Sequence, residues 1–466
     1  MDFEQDTIVA VATPPGRGGI GIVRLSGPAA STIVAPLLRL RRPLAAGRAR
    51  FAEILEVATG EPLDEAVVTF FAAPRSYTGE DVVEIAAHGS PVLMDYLLRQ
   101  CAATGARLAE AGEFTQRAFL AGRLDLTQAE AVADLIDSST LEQARVAARQ
   151  LGGGLARQIQ PAKEALVLLI AGLEAGIDFA EDDIELMAAS VVVEQISAIM
   201  PSLAALERSF AYGRILREGF RMALVGRPNA GKSSLFNRLL EQDRSIVTAM
   251  PGTTRDVVAE RMSLGGIPVE LMDTAGLRTA HQSGYETAQI DEAEGLGITR
   301  SRQAMAEAEV LLLVIDATLP LDSEDEAVLR QAEARTLLVV LNKIDLSSRP
   351  TENQLPLEIE PSLRVVHTSA LTGDGIDTLR QAISDVLHAT APSENSNLLT
   401  NLRQHQAISQ TLASLERAKE AARGGLPHEM LLLDLYEALH SLDGLTGATT
   451  SDDILHLIFG RFCIGK

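Results

Sequence analysis

The chain is short of cysteine, of lysine and of positive charge, and it has no long apolar run. Cys101 and Cys463 are its only cysteines, too few for a disulfide-stapled fold; they could form one bridge, but without an export signal two reduced thiols are expected. The longest apolar runs, such as Leu166 to Ile170 and Val310 to Ile315, fall far short of the ~20 residues a membrane-spanning helix needs. The N-terminus opens on acidic residues and lacks an apolar signal region, so a cytoplasmic protein with no membrane segment is expected. Lys plus Arg number 41 against 63 Asp plus Glu, a net charge of −22. That balance argues against a broad nucleic-acid-binding surface and leaves any RNA contact to a local patch or to a partner. Arg39, Arg41, Arg42, Arg48 and Arg50 form the candidate patch, with an ordinary solvated face as the competing reading. Lysine occurs only at 163, 232, 343, 419 and 466. Three of these positions, 232, 343 and 466, fall in motifs described below, where a compact ammonium rather than a guanidinium fork is needed.

What is present centres on RMALVGRPNAGKSS, Arg221 to Ser234. An apolar strand, Met222 to Val225, enters a loop that fits G-x-x-x-x-G-K-S, and a helix from Ser234 to Leu240 leaves it. Through Asn229, Ala230, Gly231, Lys232, Ser233 and Ser234, such a loop lays backbone N–H groups around a polyphosphate. Lys232 reaches the outer phosphates, the Ser233 hydroxyl takes Mg²⁺, and the helix N-terminus adds partial positive charge. Thr254, in Gly252 to Asp256, offers the metal a second hydroxyl. Asp273 and Gly276, in Asp273-Thr274-Ala275-Gly276, suit the Mg²⁺ water shell and the terminal phosphate. Asn342-Lys343-Ile344-Asp345 places a carboxylate, Asp345, where both N–H donors of guanine can meet it, which makes the nucleotide GTP. Ser369 and Ala370 complete the base pocket. Each element alone competes with an ordinary turn; all of them in order, each at a strand end, specify a GTP site. Leu277 stands where small signalling GTPases carry a water-orienting Gln, so that chemistry must come from elsewhere.

Along the chain, 466 residues at 46% hydrophobic suggest about three domains with real cores at ~150 residues each. Residues 1–120 read as α/β, with strands near Thr7 to Ala12, Gly21 to Leu25, Ala66 to Phe71 and Val82 to Ala87, a helix over Pro91 to Ala102, and a loop over Ala111 to Phe119. Residues 121–218 read as all-α. The first helix spans Thr127 to Ala148 behind a Thr127/Glu130 capping box, a second runs over Leu155 to Ile177, and a third over Val191 to Tyr212. Residues 219–385 alternate strands and helices, with buried parallel strands at Val269 to Met272, Val310 to Ile315, Leu337 to Leu341 and Arg364 to His367. Residues 386–466 return to helices, at Leu402 to Arg423, Glu429 to Ser441 and Asp452 to Phe459. The expected fold is thus multidomain, α/β plus all-α: a P-loop (Ras-like) GTPase domain inserted in a helical domain, preceded by an α/β domain. No internal repeat is visible.

With TPPGRGGIGIVRLSG near the N-terminus, GRPNAGKSS in the loop and FCIGK at the C-terminus, the chain resembles the MnmE (TrmE) family of tRNA-modification GTPases over essentially its whole length. The resemblance implies an N-terminal folate-binding and dimerisation domain, and G domains that associate across the homodimer in a K⁺-dependent way to hydrolyse GTP. With the partner MnmG, the family adds an aminomethyl or carboxymethylaminomethyl group to C5 of the wobble uridine (U34) of certain tRNAs. It implies GTP, Mg²⁺, K⁺ and a reduced folate (5-formyl- or methylene-tetrahydrofolate) as cofactors. Asn229 then resembles the K⁺-coordinating Asn, against its reading as a turn former, with Thr248, Met250 and Thr253 completing the shell. Glu294, before Gly295 to Arg300, matches the water-orienting Glu. The stretch from Thr279 to Ala293 is longer than the family pattern, which leaves Glu292 and Glu286 as rivals. Arg24, Glu84, Arg123 and Lys466 occupy the folate positions, with Arg at 123 where Lys is the family's residue; structural salt bridges are the competing reading. His88 is read as packing or capping, and Cys463 as buried and inert. A GTP-dependent regulatory switch or assembly factor with no direct role in modification is the alternative. A ribosome-associated GTPase with its own basic domain sits poorly with the −22 charge.

Overall fold

The computed structural model describes residues 6–178, 187–243, 259–273, 308–321, 325, 329, 336–346, 364–389, 397–448, 455, 458–460 and 462–465. The chain divides into two compact units, one of Met1–Ile136, Arg149–Met200 and Gln410–Lys466, the other of Asp137–Ala148 and Pro201–Ser409.

The first unit opens with β1 (Ile8–Val11), β2 (Gly18–Ser26), α1 (Ala30–Val34), β3 (Leu38–Leu40), β4 (Arg48–Leu55), β5 (Pro62–Phe71), β6 (Val82–Gly89), α2 (Pro91–Ala103) and β7 (Arg107–Leu108). They form one sheet in the order β3-β4-β5-β6-β2-β1-β7. Its pairs are antiparallel except β1 with β7. Alternate residues such as Val23, Leu25, Ala52, Ile54, Val83 and Ile85 face a core closed by Ile33, Val34, Met94 and Leu97 of the two helices. Strands β3 and β4 were not expected, because their arginines break the apolar alternation.

Three helical expectations are corrected. Ala111 to Phe119 is not a loop: it holds α3 (Glu113–Leu120), with Phe114, Thr115 and Ala118 buried. The single helix from Thr127 to Ala148 is two, α4 (Leu126–Ile136) and α5 (Leu141–Leu151). The capping box lies two residues earlier than Thr127/Glu130: the Gln128 amide donates to Asp125 Oδ1 at 2.9 Å and the Asp125 amide to Gln128 Oε1 at 3.0 Å. A second reciprocal box, Thr140 with Gln143, starts α5. Its polar lead-in, Asp137 to Thr140, satisfies backbone groups locally and so ends the helix before it. The helix expected over Val191 to Tyr212 likewise breaks at Ser209. It consists of α7 (Ala189–Arg208) and α8 (Phe210–Glu218), preceded by α6 (Gly154–Asp178).

One stretch among the described residues, Ala189–Glu218, is long and apolar enough to cross a membrane by length and composition. Its buried residues Val192, Ile196, Ile199, Leu203 and Leu206 recur at helical spacing, the pattern of a helix lying on a core.

The second unit carries β8 (Phe220–Val225), α9 (Lys232–Asp243), β9 (Ala259–Leu264), β10 (Ile267–Asp273), β11 (Val310–Asp316), β12 (Thr336–Asn342), β13 (Arg364–His367) and α10 (Ile376–His388). The sheet order is β13-β12-β11-β8-β10-β9, parallel throughout except for β9 on β10. The parallel strands match expectation, and β9 adds an antiparallel edge. Apolar runs without alternation suit strands buried on both faces. Met222, Leu224, Leu312, Val314, Leu338 and Val340 fill one core, and Ala223, Val225, Leu311, Leu313, Val339 and Leu341 the other. Further along lie α11 (Leu402–Arg423) and α12 (His428–Thr446).

Candidate nucleotide site and N-terminal ion-pair site

Strand β8 lies between β10 and β11, where the strand order reverses, and ligands of open parallel sheets collect outside the strand ends at such a switch. The loop from Gly226 begins there. Gly226 has φ +138°, and a Cβ on it would sit 2.2 Å from the Val314 carbonyl of β11. Only glycine lets the loop leave the sheet so tightly. The loop closes around the Lys232 ammonium, which donates to the Gly226 and Arg227 carbonyls at 2.7 Å each. Ser233 and Ser234 stand exposed in the first turn of α9. Asn229 takes φ +63°, a left-handed conformation that Asn tolerates better than most residues, and its side chain is exposed.

The guanine-reading loop is stitched to this cradle by Asn342, 1% exposed. Its Nδ2 donates to the Ala230 carbonyl and its Oδ1 accepts from the Ala370 amide, both at 3.0 Å. Asn342 therefore fixes the phosphate loop and the Ser369–Ala370 turn in one geometry. Ser369 is buried, its Oγ accepting from the Thr372 amide at 3.1 Å, so it shapes that turn. Lys343 is left-handed at φ +65°, and its Nζ donates to Asp316 Oδ2 at 2.7 Å. Burial pushes the Asp316 carboxyl up, but Lys343 and the hydroxyl and amide of Thr318 outweigh it and hold Asp316 below the usual range. Asp345 is exposed beside them. Asp273 closes β10. Thr248, Met250, Thr253, Thr254, Gly276, Glu294 with its rivals Glu286 and Glu292, the side chain of Asp273, and Lys466 lie outside the described residues.

Two anchors of this site escape sequence reasoning. Asp316, the Lys343 partner, ends the buried run of β11; a carboxylate closing an apolar strand was its only signal. Arg227, inside the loop, pairs with the buried Asp325 at 2.7 Å, and no spacing rule connects positions so far apart in the chain.

In the first unit, Arg24 of β2 and Glu84 of β6 are register partners, ion-paired at 2.7 Å. The Arg24 guanidinium lies over the rings of Tyr77 and Phe114, 5.9 and 5.7 Å from their centroids. It also donates to the Gly465 carbonyl at 3.5 Å. The tail reaches this place through an antiparallel bridge from Ile464 to Ala111. Gly465, at φ +99°, packs where a Cβ would lie 2.4 Å from the Val11 carbonyl. Arg24, Glu84 and the tail thus converge. Arg123 is exposed just past α3, and among the described residues no hydrogen bond or ion pair joins it to them. Cys463 is exposed, which corrects the expectation of a buried thiol; Cys101 is buried and free, and burial pushes its thiol up to about 12. The tail puts Phe459 and Phe462 into the core and turns the residue after Phe462 outward. His88 is exposed rather than packed, its ring Nδ1 2.7 Å from Asp64 Oδ1.

A phosphate cradle at the switch of a parallel sheet, stitched to a guanine-selecting loop at the next strand ends, admits one class: the P-loop GTPases. Comparison with known proteins narrows it. A family profile described as the MnmE helical domain matches residues 126–463, and one described as the GTP-binding protein TrmE N-terminus matches residues 7–123. The tRNA modification GTPase MnmE of Koribacter versatilis (strain Ellin345) is 54% identical over 466 residues, covering 99% of each chain. That of Acetivibrio thermocellus is 38% identical over 468 residues, covering 100% of each. That of Thermotoga maritima is 41% identical over 462 residues, covering 99% of this chain and 100% of its own. The chain belongs to the MnmE family of tRNA modification GTPases. It is a GTP hydrolase, and GTP and Mg²⁺ come with that membership; the glycine cradle and the caged Lys232 ammonium fit a polyphosphate.

Proposed function

We propose that this chain is a K⁺-dependent GTPase that works with the partner MnmG to add an aminomethyl or carboxymethylaminomethyl group to C5 of U34 in certain tRNAs. It does so as a homodimer whose N-terminal domain holds a reduced folate. In this reading the N-terminal domain is residues 1–120, the helical domain is 121–218 with 386–466, and the G domain, 219–385, is inserted between them. The observation that carries the proposal is the joining in one chain of a GTP cradle and an Arg24–Glu84 site closed by the chain's own tail. A regulatory switch would need only the first.

The roles follow from the chemistry of each group. Lys232 and the loop amides bind the phosphates, Ser233, Thr254 and Asp273 would hold Mg²⁺, which would neutralise phosphate charge, and Gly276 would meet the terminal phosphate. Asn229, with Thr248, Met250 and Thr253, would hold K⁺, whose charge offsets that developing between the β- and γ-phosphates. Glu294 orients the attacking water. Glu84 can accept the N–H donors of a pterin, while Arg24, Arg123 and Lys466 can pair with carboxylates. Phe51 and Val67, cross-strand partners exposed on the outer sheet face, offer apolar area for a second copy.

Mass spectrometry of tRNA nucleosides from a deletion strain tests the proposal. Loss of the C5-modified wobble uridine, restored by the intact gene, is expected. Unchanged modified nucleoside in the deletion strain would rule it out in favour of the switch.

A further inference from the structure

The fold separates the five arginines between positions 39 and 50 into two groups. Arg39 of β3 stands directly opposite Glu53 of β4 and is ion-paired with it at 2.8 Å; it also donates to the Gly60 carbonyl at 3.0 Å. It is a neutralised cross-strand pair. Arg48 and Arg50 leave β4 on the opposite side, the side of Ala52 and Ile54, which are core residues. The strand overruns the rim of that core, so the row that is apolar at Ile54 and Ala52 becomes basic at Arg50 and Arg48, about 7 Å apart. Arg41 and Arg42, in the β3–β4 connection, are exposed, and Arg50 Nε braces that connection by donating to the Pro43 carbonyl at 3.3 Å.

No acidic residue occurs between Arg39 and Ala52. Among the described residues no carboxylate pairs with Arg41, Arg42, Arg48 or Arg50. The carboxylates of this hairpin region, Glu53, Glu56, Glu61, Asp64 and Glu65, fall towards the other end of β4 and β5. Four like charges on one rim repel each other, and the Arg50–Pro43 hydrogen bond leaves all four charges unneutralised. In a chain of net charge −22, their concentration fits an anion that arrives from outside. Guanidinium forks match phosphate oxygens two at a time. A protein partner would need an apolar or aromatic anchor at the centre of its contact. On this rim Leu40 and Leu44 pack into the core instead, and no aromatic residue occurs between Arg39 and Arg50. Charge without an apolar anchor or an aromatic platform for base stacking is the signature of backbone contact.

We propose that Arg41, Arg42, Arg48 and Arg50 form a sequence-independent contact for the phosphate backbone of the RNA. This rests on tRNA being the substrate, as proposed above. The test uses the full-length chain and unfractionated tRNA, with binding measured from 50 to 200 mM salt. In Arg41→Ala/Arg42→Ala/Arg48→Ala, removal of three phosphate contacts should lower the slope of log affinity against log salt by about 2 to 3 and weaken binding at least about tenfold at low salt. GTP hydrolysis without RNA should stay at the wild-type rate, which shows the variant is folded. The Lys triple variant, which keeps the charges, should recover most of the slope. Arg41→Glu/Arg42→Glu, confined to the connection, repeats the test without touching β4. If wild type binds tRNA and both variants keep its slope, the patch is wrong. The same holds if they keep tRNA but lose a co-purifying protein, because the rim then serves a protein contact. If wild type itself binds no tRNA at any salt, the substrate reading fails first and takes this contact with it.

Discussion

At the scale of single residues, the nucleotide site is a matter of where a few polar atoms are held. Asn229 needs no ligand to explain its identity, because a left-handed turn residue at φ +63° already favours Asn. Its exposed amide is what a cation site requires in addition. GTP hydrolysis is therefore expected to run much faster in KCl than in NaCl, with Asn229→Ala removing the difference. Equal wild-type rates in the two salts would end the K⁺ reading. Glu294→Gln should lower kcat and leave GTP affinity nearly unchanged, because it touches the water rather than ground-state binding. A larger loss from Glu292→Gln would move the role two positions upstream.

At the scale of elements, local capping decides what hydrophobic periodicity leaves open. Apolar residues recur at helical spacing on both sides of the polar Asp137 to Thr140, yet each side has its own reciprocal box, Asp125/Gln128 and Thr140/Gln143, and the second starts a new helix. Asp125 also accepts from the Thr127 hydroxyl at 2.6 Å, so Thr127 supports the cap instead of being it. Asp125→Ala should destabilise the protein by about 1 kcal/mol, read as a lower urea midpoint by circular dichroism. Thr127→Ala should cost less. The reverse order would restore the cap to Thr127. The same lesson applies to β3 and β4, whose arginines hid two strands because alternation on an overhanging end need not be apolar.

At the scale of the whole molecule, the first unit depends on a buried ionic cluster. Arg117 and Glu113, each with a side chain 2% exposed, pair at 2.9 Å. Arg107 donates to Glu113, and Asp6 and Glu80 accept from Arg117. Burial pushes the Glu113 carboxyl up, but bonds from Arg107, the Glu110 amide and Arg117 outweigh it and hold it below the ordinary range; Asp6 is lowered in the same way by Arg107 and Arg117. Groups lowered on folding contribute stability that is complete above their unfolded values and is lost as pH falls through the folded ones. Unfolding on acidification should therefore begin below about pH 4.3, the unperturbed glutamate value. Glu113→Gln should flatten that acid limb and, by stranding buried arginine charge, cost about 3–5 kcal/mol at neutral pH. Circular dichroism is the readout, since the chain has no tryptophan. An unchanged acid midpoint in the variant would remove the cluster from the account.

The nucleotide class, the parallel sheet and the family were legible in the sequence because their signals are local: fixed residues a few positions apart, bound to strand ends by short turns. Apolar runs buried on both faces announced β10, β11, β12 and β13 for the same reason. Tertiary structure alone decided the pairings between distant segments, such as Asn342 joining Ala230 to Ala370, Asp316 holding Lys343, and Gly465 reaching Arg24. It also decided that Cys463 faces outward and that Arg39 is neutralised while its neighbours are not. A side chain's partner depends on which strands the fold sets side by side, and no local spacing records that.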